Sequence, residues 1–427
     1  MKAIIQTVKG TREFYPEDMA VRSWLYEQLQ QVATSFGYQE YDGPFIEKID
    51  LYAAKSGEEL VKKQSFVFQD RGGDEVTLRP ELTPSLARMV AQRQRELTFP
   101  LRWWSFGPFW RYERPQKGRT REFFQWNVDL IGAETPEADA ELVAICAAFF
   151  ERVGLNPNQV EIAVNDRQLV DTELGKIGIA ADLKPVVIRL VDRRDKMPEK
   201  DWDAFALESG LTLEQLAGLK AMLANTELWK TSEKLTRFFH ALTWMGAEAY
   251  VRFDPQIIRG LDYYTGIVFE ARDRDEEGRA ILGGGHYGNL VGDVGGDPLP
   301  GVGFAMGDVM ATLILQKYGC IPGINVSPLQ VLVTVFDDEG MQVSFSLARK
   351  LRNAGIRAVS YVEAVKLPRQ LKYGDRMGAQ FAVIIGPDEA AQGLVTVKDL
   401  RNREQVTVSH DALVMKLQEM LAEEPPV

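Results

Sequence analysis

RWWSFGPFWRYER (102–114) and REFFQWNVDLIGA (121–133), joined by PQKGRT (115–120), decide the fold. Each flank is apolar and aromatic over much of its length, and charge gathers where the two meet. Two such runs around a short polar loop predict a pair of antiparallel strands. Strands joined by hairpins rather than by strand–helix–strand units predict an antiparallel sheet, and hence an α+β core. The loop also raises a question of chemistry. Arg111, Arg114, Lys117, Arg119 and Arg121 crowd together in a chain whose formal net charge is -11.

The flanking sequence fits the same plan. DMAVRSWLYEQLQQVATSF (18–36) places apolar residues at helical spacing, and Gly37 ends it as a C-cap. FVFQDRGGDEVTLRPELT (66–83) reads as a hairpin turning at Gly72–Gly73. LTPSLARMVAQRQREL (82–97) is a helix, with Thr83 as N-cap and Pro84 in the first turn. PEADAELVAICAAFFERVG (136–154) is a longer one. The texture from 166 to 245 is helical and carries no glycine-rich or catalytic pattern, so it reads as an insertion. Strand character returns in AYVRFDPQIIRGLDYYTGIVFEARD (249–273). GGGHYGNLVGDVGG (283–296) then reads as a loop and GVGFAMGDVMATLILQ (301–316) as an apolar helix. Beyond the linker INVSP (324–328), strands and helices alternate, predicting a separate α/β domain with right-handed crossovers. The expected division is a core of 1–165 and 246–322, a helical insertion of 166–245, and an α/β domain of 323–427.

Composition narrows the function classes. The acidic balance argues against a protein that coats nucleic acid nonspecifically. Acidic excess is uneven, since Val326 to the end carries 12 Lys and Arg against 13 Asp and Glu, which leaves a local basic face possible there. Cys146 and Cys320 are the only cysteines, too few for a disulfide framework. Three histidines without paired Cys–His spacing argue against a zinc site. No apolar run is long enough for a membrane helix and the N-terminus has no signal-peptide core, so the expectation is a cytoplasmic protein without a membrane partner.

Three stretches carry chemistry. Around the central loop, Arg111, Arg119 and Arg121 offer planar cations suited to phosphate, and Phe123 and Gln125 continue the alternation of Arg121. The plainer alternative is a cross-strand ladder of ion pairs with Glu113 and Glu122. IRGLDYYTGIVFE (258–270) sets an arginine, an aspartate and two tyrosines beside glycines, where a ligand or another backbone comes close. Its alternative is a bulged strand with core tyrosines. TLRPELT (77–83) spaces Arg79, Glu81 and Thr83 along one strand face, so that a carboxylate and a hydroxyl could receive an ammonium; its alternative is a helix cap. GGGHYGNLVGDVGG is neither a P-loop nor GxGxxG.

Together these pieces resemble the histidyl-tRNA synthetase family of class II aminoacyl-tRNA synthetases over essentially the whole chain. GTREFYPED (10–18), TLRPELT, RYERPQKGRTREFFQ (111–125), RGLDYYTGIVFE (259–270), GGGHYGNL (283–290) and KLPRQLKYGDRMGAQFAVIIG (366–386) come in family order. The resemblance implies a homodimer with Pro44 at the interface, an anticodon-binding C-terminal domain, and L-histidine, ATP with Mg²⁺, and tRNA(His) as partners. It assigns Arg111 to the α-phosphate and to histidine, Phe123 to adenine, and Glu113 and Arg121 to ATP beside them. Glu81 and Thr83 would take the histidine ammonium, and Gln125, Asp129, Tyr263 and Tyr264 would line the amino-acid pocket. Arg259 would be the catalytic cation. Arg114, Gln116 and Arg119, on the loop, would meet the tRNA acceptor end. Metal ligands stay unassigned.

Four positions depart from the family pattern. Met310 stands where a γ-phosphate arginine is usual, and GGGHYG replaces GGGRYD, with His286 and Gly288. Both changes are expected to remove charge from the ATP side. Asp129, where glutamate is common, keeps the carboxylate. A second reading is a paralogue that senses histidine as a regulatory subunit, like that of ATP phosphoribosyltransferase. Such subunits lack the C-terminal domain and tend to lose Arg111, Gln125 and Arg259, all of which this chain keeps.

Overall fold

The computed structural model describes residues 4–53, 64–116, 118–194, 197–257, 264–275, 280–324 and 326–422. Two compact units emerge, Met1–Tyr15 with Val21–Pro322 and Gly323–Val427 with Pro16–Ala20.

The first element in the chain is α1 (Pro16–Ser35), whose end is marked by Gly37 at φ 80°. β1 (Gln39–Glu40), β2 (Ile46–Lys48) and α2 (Asp50–Ala53) follow. β3 (Phe66–Gln69) and β4 (Glu75–Leu78) form the expected hairpin, with Gly73 at φ 90° in its turn. β2 joins them in a three-stranded sheet, where Ile46 and Phe68 remain exposed. α3 (Thr83–Arg93) begins at Thr83 itself, so Thr83 is not the cap; Leu82 holds that place, without a side-chain bond.

The main sheet is built on the stretches that opened the sequence. β5 (Leu101–Trp110) and β6 (Glu122–Ile131) pair antiparallel along their whole length. Even positions of β6, Phe124, Trp126, Val128 and Leu130, are buried. Behind them lies α4 (Pro136–Arg152), capped by Thr135 and buried along most of its length. Odd positions, Phe123 to Asp129, turn to the other face. β7 (Val160–Asp166) follows, a strand absent from the sequence reading. The chain is then helical through α5 (Arg167–Lys176), α6 (Lys184–Arg193), α7 (Glu199–Glu208), α8 (Leu213–Ala224) and α9 (Glu233–Trp244).

β8 (Val251–Phe253), β9 (Ile267–Asp273), β10 (Leu282–Tyr287) and β11 (Gly301–Gly307) complete an eight-stranded sheet ordered β1-β5-β6-β11-β10-β9-β7-β8. It is antiparallel except at its two edge pairs. Two expectations fail here. GGGHY is in strand β10 rather than a loop, and GVGFAMG is strand β11, with α10 (Asp308–Lys317) starting only at Asp308. Glycine is tolerated because nothing larger fits. A Cβ on Gly284 would lie 2.4 Å from the Gly303 carbonyl and 2.5 Å from the Phe304 Cβ.

The second unit holds a five-stranded sheet. β12 (Val331–Val333) runs parallel to β13 (Ala358–Ser360) and β14 (Phe381–Ile384), and β15 (Leu394–Asp399) and β16 (Gln405–Ser409) add an antiparallel hairpin. Its helices are α11 (Met341–Asn353), α12 (Leu367–Arg376), the short α13 (Pro387–Ala391) and α14 (Leu413–Ala422). Val333, Phe381, Val397 and Leu417 are among the residues of its own apolar core.

Candidate active site

Two adjoining cavities open on the odd face of β6. One, of about 270 Å³, is lined by Glu81, Thr83, Gln125, Asn127, Asp129, Tyr264 and Tyr287, among others. The other, of about 450 Å³, is lined by Glu113, Arg119, Phe123 and Met310, among others. Arg111, Gln125, Gly283 and Ala305 border both. The glycines of β10 and β11 make part of the floor, where Gly283, Gly284 and Gly303 bring bare backbone to the first cavity.

Each side chain owes its place to a strand or a helix start. Arg111 follows the last residue of β5, donates through Nε to the Pro80 carbonyl at 2.9 Å, and lies 5.3 Å from the centre of the Phe123 ring. Phe123 stacks in turn on Phe109 at 6.0 Å. Glu81 is buried beside the start of α3, where Thr83 also faces the cavity. Arg79, between them in the motif, does not reach the cavity. It is wholly buried, donating to Asp42 Oδ1 at 2.5 Å and to the Gly43 and Pro108 carbonyls, between the rings of Phe45 and Phe109.

The inner end of the first cavity is a carboxylate among phenols. Asp129 is buried and accepts a 2.6 Å hydrogen bond from the Tyr287 hydroxyl. Burial lifts its carboxyl to about 7, against the opposing pull of that hydrogen bond. Burial likewise pushes the Tyr264 and Tyr287 phenols above their ordinary value, so both stay protonated donors near neutrality. A carboxylate beside neutral phenols suits a planar ring that offers one N–H and one acceptor nitrogen.

The second cavity is a cation-and-ring site. Glu113 and Arg119 pair across it at 2.6 Å. The ion pair posed as the plainer alternative is thus present, but inside a cavity. Arg119, expected on the loop facing tRNA, also lines this cavity while its side chain stays about half exposed, Gln116 and Arg119 bridging in a tight turn. Arg114 and Gln116 remain exposed. Arg121 is a further correction. β6 starts only at Glu122, so strand alternation does not reach it. Its guanidinium turns instead to the Glu113 and Lys9 carbonyls, at 3.1 and 3.3 Å, and over the Tyr112 ring.

Met310 lines the second cavity, as anticipated. His286 does not. It alternates with Tyr287 on β10 and so faces the opposite side, where its Nδ1 lies 2.8 Å from Asp139 Oδ1. The change at 286 therefore leaves the charge of the two cavities untouched. Asn127 and Tyr287 were missed as lining residues. The spacing 125–127–129 pointed to the first, and alternation from Gly283 through Gly285 to the second. Arg259 and Tyr263 lie outside the described residues, whose neighbours Ile257 and Tyr264 both line the first cavity.

Family comparison turns on the two halves of the chain. Residues 10–309 match the model of the family described as histidyl-tRNA synthetase, and residues 330–420 match that of an anticodon binding domain. The chain belongs to the histidyl-tRNA synthetase family. A histidine–tRNA ligase of Leptospira biflexa is 34% identical over 441 aligned positions, covering 99% of each chain. The crystal structure of histidyl-tRNA synthetase from Nostoc sp. PCC 7120 superposes with a TM-score of 0.81 at 25% identity, covering 98% of this chain and all of that one. A Bacillus halodurans C structure, titled an ATP phosphoribosyltransferase regulatory subunit/histidyl-tRNA synthetase, shares the fold with a TM-score of 0.71 at 23% identity, covering 90% of this chain and 99% of that one.

Proposed function

We propose that this chain activates L-histidine with ATP to histidyl-adenylate and transfers the histidyl group to the 3′ end of tRNA(His). One observation carries this reading: the two cavities meet at Arg111 and Gln125, with an ammonium-binding pair at one end and a stacking ring at the other.

Histidine enters the first cavity with its ammonium toward Glu81 and Thr83 and its imidazole toward Asp129, Tyr264 and Tyr287. Its carboxylate then lies at the junction. ATP occupies the second cavity, with adenine on Phe123, the Glu113–Arg119 pair beside it, and the α-phosphate at Arg111. A carboxylate oxygen attacks the α-phosphorus, the bond to the β-phosphate oxygen breaks, and pyrophosphate leaves. The nucleophile is already ionised, so no general base is needed. Arg111, with Arg259 as the assigned second cation, meets the charge that gathers on the phosphoryl oxygens. In the second step a hydroxyl of the tRNA 3′-adenosine attacks the carbonyl carbon and AMP departs. Leaving Asp129 and the phenols unpaired disfavours amino acids without the ring. Arg114 and Gln116, on the exposed loop, contact the acceptor end.

ATP chemistry implies Mg²⁺. Among the described residues no group of three or more His, Cys, Asp or Glu could hold a metal. Glu113 and Glu270, which line the two cavities, would be the carboxylates to help hold the ion beside the phosphates. When bound it screens phosphate charge. The domain division of 1–165 with 246–322, 166–245, and 323–427, the homodimer and the cytoplasmic setting belong to the same proposal. Among the described residues no helix is long and apolar enough to cross a membrane.

Met310 in the ATP-side cavity favours the regulatory reading, whereas the match to an anticodon domain opposes it. Histidine-dependent ATP–pyrophosphate exchange by purified protein decides between them. Exchange is expected; histidine binding without exchange would overturn the synthetase reading. Arg259→Ala should lower exchange by about two to three orders of magnitude, and near-wild-type exchange would remove it from the mechanism.

A further inference from the structure

We propose that Lys234, on the helical segment, is a positioning residue for histidine, its ammonium fixing the backbone that carries Tyr264 into the amino-acid cavity. The inference rests on the reading of that cavity as the histidine site.

Lys234 stands in the first turn of α9, and its ammonium lies 3.4 Å from Asp166 Oδ2. That is long for a hydrogen bond, so the pair is chiefly electrostatic. Asp166 is almost wholly buried at the end of β7, where its other oxygen accepts the Gln168 amide at 2.7 Å and caps α5. What fixes the ammonium is the notch at Gly266. A Cβ there would lie 2.9 Å from Lys234 Nζ and 3.1 Å from the His286 Cβ, so the missing side chain makes room for the lysine.

Gly266 is no ordinary strand residue. Its carbonyl accepts the Arg167 amide, and the preceding Thr265 amide donates to the His286 carbonyl at 2.7 Å. One residue before that is Tyr264, whose ring would touch a Cβ on Gly285 and whose phenol belongs to the histidine cavity. The segment Tyr264–Ile267 is therefore held through its backbone by β7, β10 and the first residue of α5, while the Lys234 ammonium of α9, paired with Asp166, packs into its notch at Gly266. The ammonium is reachable from a second face of the unit, where Lys234, Gln168, Thr265 and His286 line a separate cavity of about 550 Å³. Neighbouring Arg237 is engaged with Glu137, and His286 with Asp139, so neither replaces it.

The test is histidine affinity measured by calorimetry, with pyrophosphate exchange alongside. Lys234→Met should weaken histidine binding five- to twentyfold and raise the histidine KM equally, leaving the ATP KM within twofold. Glu233→Gln, in the same helical turn, should change nothing. Because Lys234→Met strands a buried carboxylate, the double variant Lys234→Met with Asp166→Asn serves as the folding control. Asparagine keeps the cap, so the melting temperature should return while histidine affinity does not. Wild-type histidine affinity in either variant, or a matched rise in both KM values, would overturn the proposal. If the wild-type chain binds histidine without exchange, the synthetase reading falls while the calorimetric comparison still decides the role of Lys234.

Discussion

Asp129 is the side chain whose chemistry most depends on its surroundings. With its carboxyl near 7 rather than 3.8, it is half protonated at neutral pH in the empty cavity. Only the ionised form accepts an imidazole N–H without also presenting a proton of its own. The histidine KM should therefore fall as pH rises toward about 7.5, by about tenfold per unit below 7, and flatten above. Asp129→Asn should remove the part of that slope that Asp129 contributes, leaving only the fall below about 6.5 that the substrate's own imidazole imposes, as KM measured from pH 5.5 to 8.5 would reveal. Linkage has the opposite sign for the ligand-free protein. A raised carboxyl contributes stability at low pH that is lost as pH climbs through about 7, so the Asn variant should gain melting temperature relative to wild type above that point. Met310 supports a second test. Met310→Arg restores a cation to the ATP-side cavity, and the ATP KM should fall by about tenfold, the order of one charge-assisted hydrogen bond. An unchanged KM would mean that Arg111 and Arg119 already meet the phosphate charge. At this scale much was legible: Arg111, Phe123, Gln125, Glu81, Thr83, Asp129 and Tyr264 all border the cavities. Arg121 and His286 were misread because their direction depends on where a strand begins and which way it alternates, which motif order does not carry.

Elements with period and punctuation were readable. The β3–β4 hairpin, the β5–β6 pair, α1 and the alternating C-terminal unit all carry turn glycines or alternating apolar residues. β10 and β11 carried neither. Central strands covered on both faces lose alternation, and these also traded side chains for glycine where backbone and ligand space meet, so composition imitated a loop in one and a helix in the other. Gly303 tests how much the pair depends on this. A Cβ there would sit 2.2 Å from Asp129 Oδ1 and 3.0 Å from the Val128 carbonyl. Gly303→Ala should cost roughly 1–3 kcal/mol in denaturant unfolding and raise the histidine KM at least tenfold by turning Asp129 aside. If stability falls while the histidine KM holds, the strand matters to the fold and not to the orientation of Asp129.

For the molecule as a whole, the small sheet leaves apolar side chains uncovered on both of its faces, Ile46 and Phe68 on one and Val67 on the other. Phe45, Ile46, Val67 and Phe68 are each between about two-fifths and just over half exposed, next to Pro44. A second copy is the occupant the family resemblance implies. Phe45→Asp combined with Ile46→Glu should yield monomer in sedimentation equilibrium at micromolar concentration, where the wild type is expected to run as a dimer. A wild-type monomer would refute the homodimer itself.

The glycine floor of the histidine cavity sets a limit on how this site can change. A wall made of side chains can be redrawn one codon at a time, but a floor made of backbone has nothing to exchange. At Gly284 and Gly303 any addition runs into a carbonyl, a core ring or the recognition carboxylate. New amino-acid preference, whether selected in the laboratory or by descent, is therefore confined to the side-chain walls, at Gln125, Asn127, Asp129, Tyr264 and Tyr287. Libraries that randomise those five positions should return folded variants with altered ligands, whereas libraries aimed at the floor should return mostly insoluble chains.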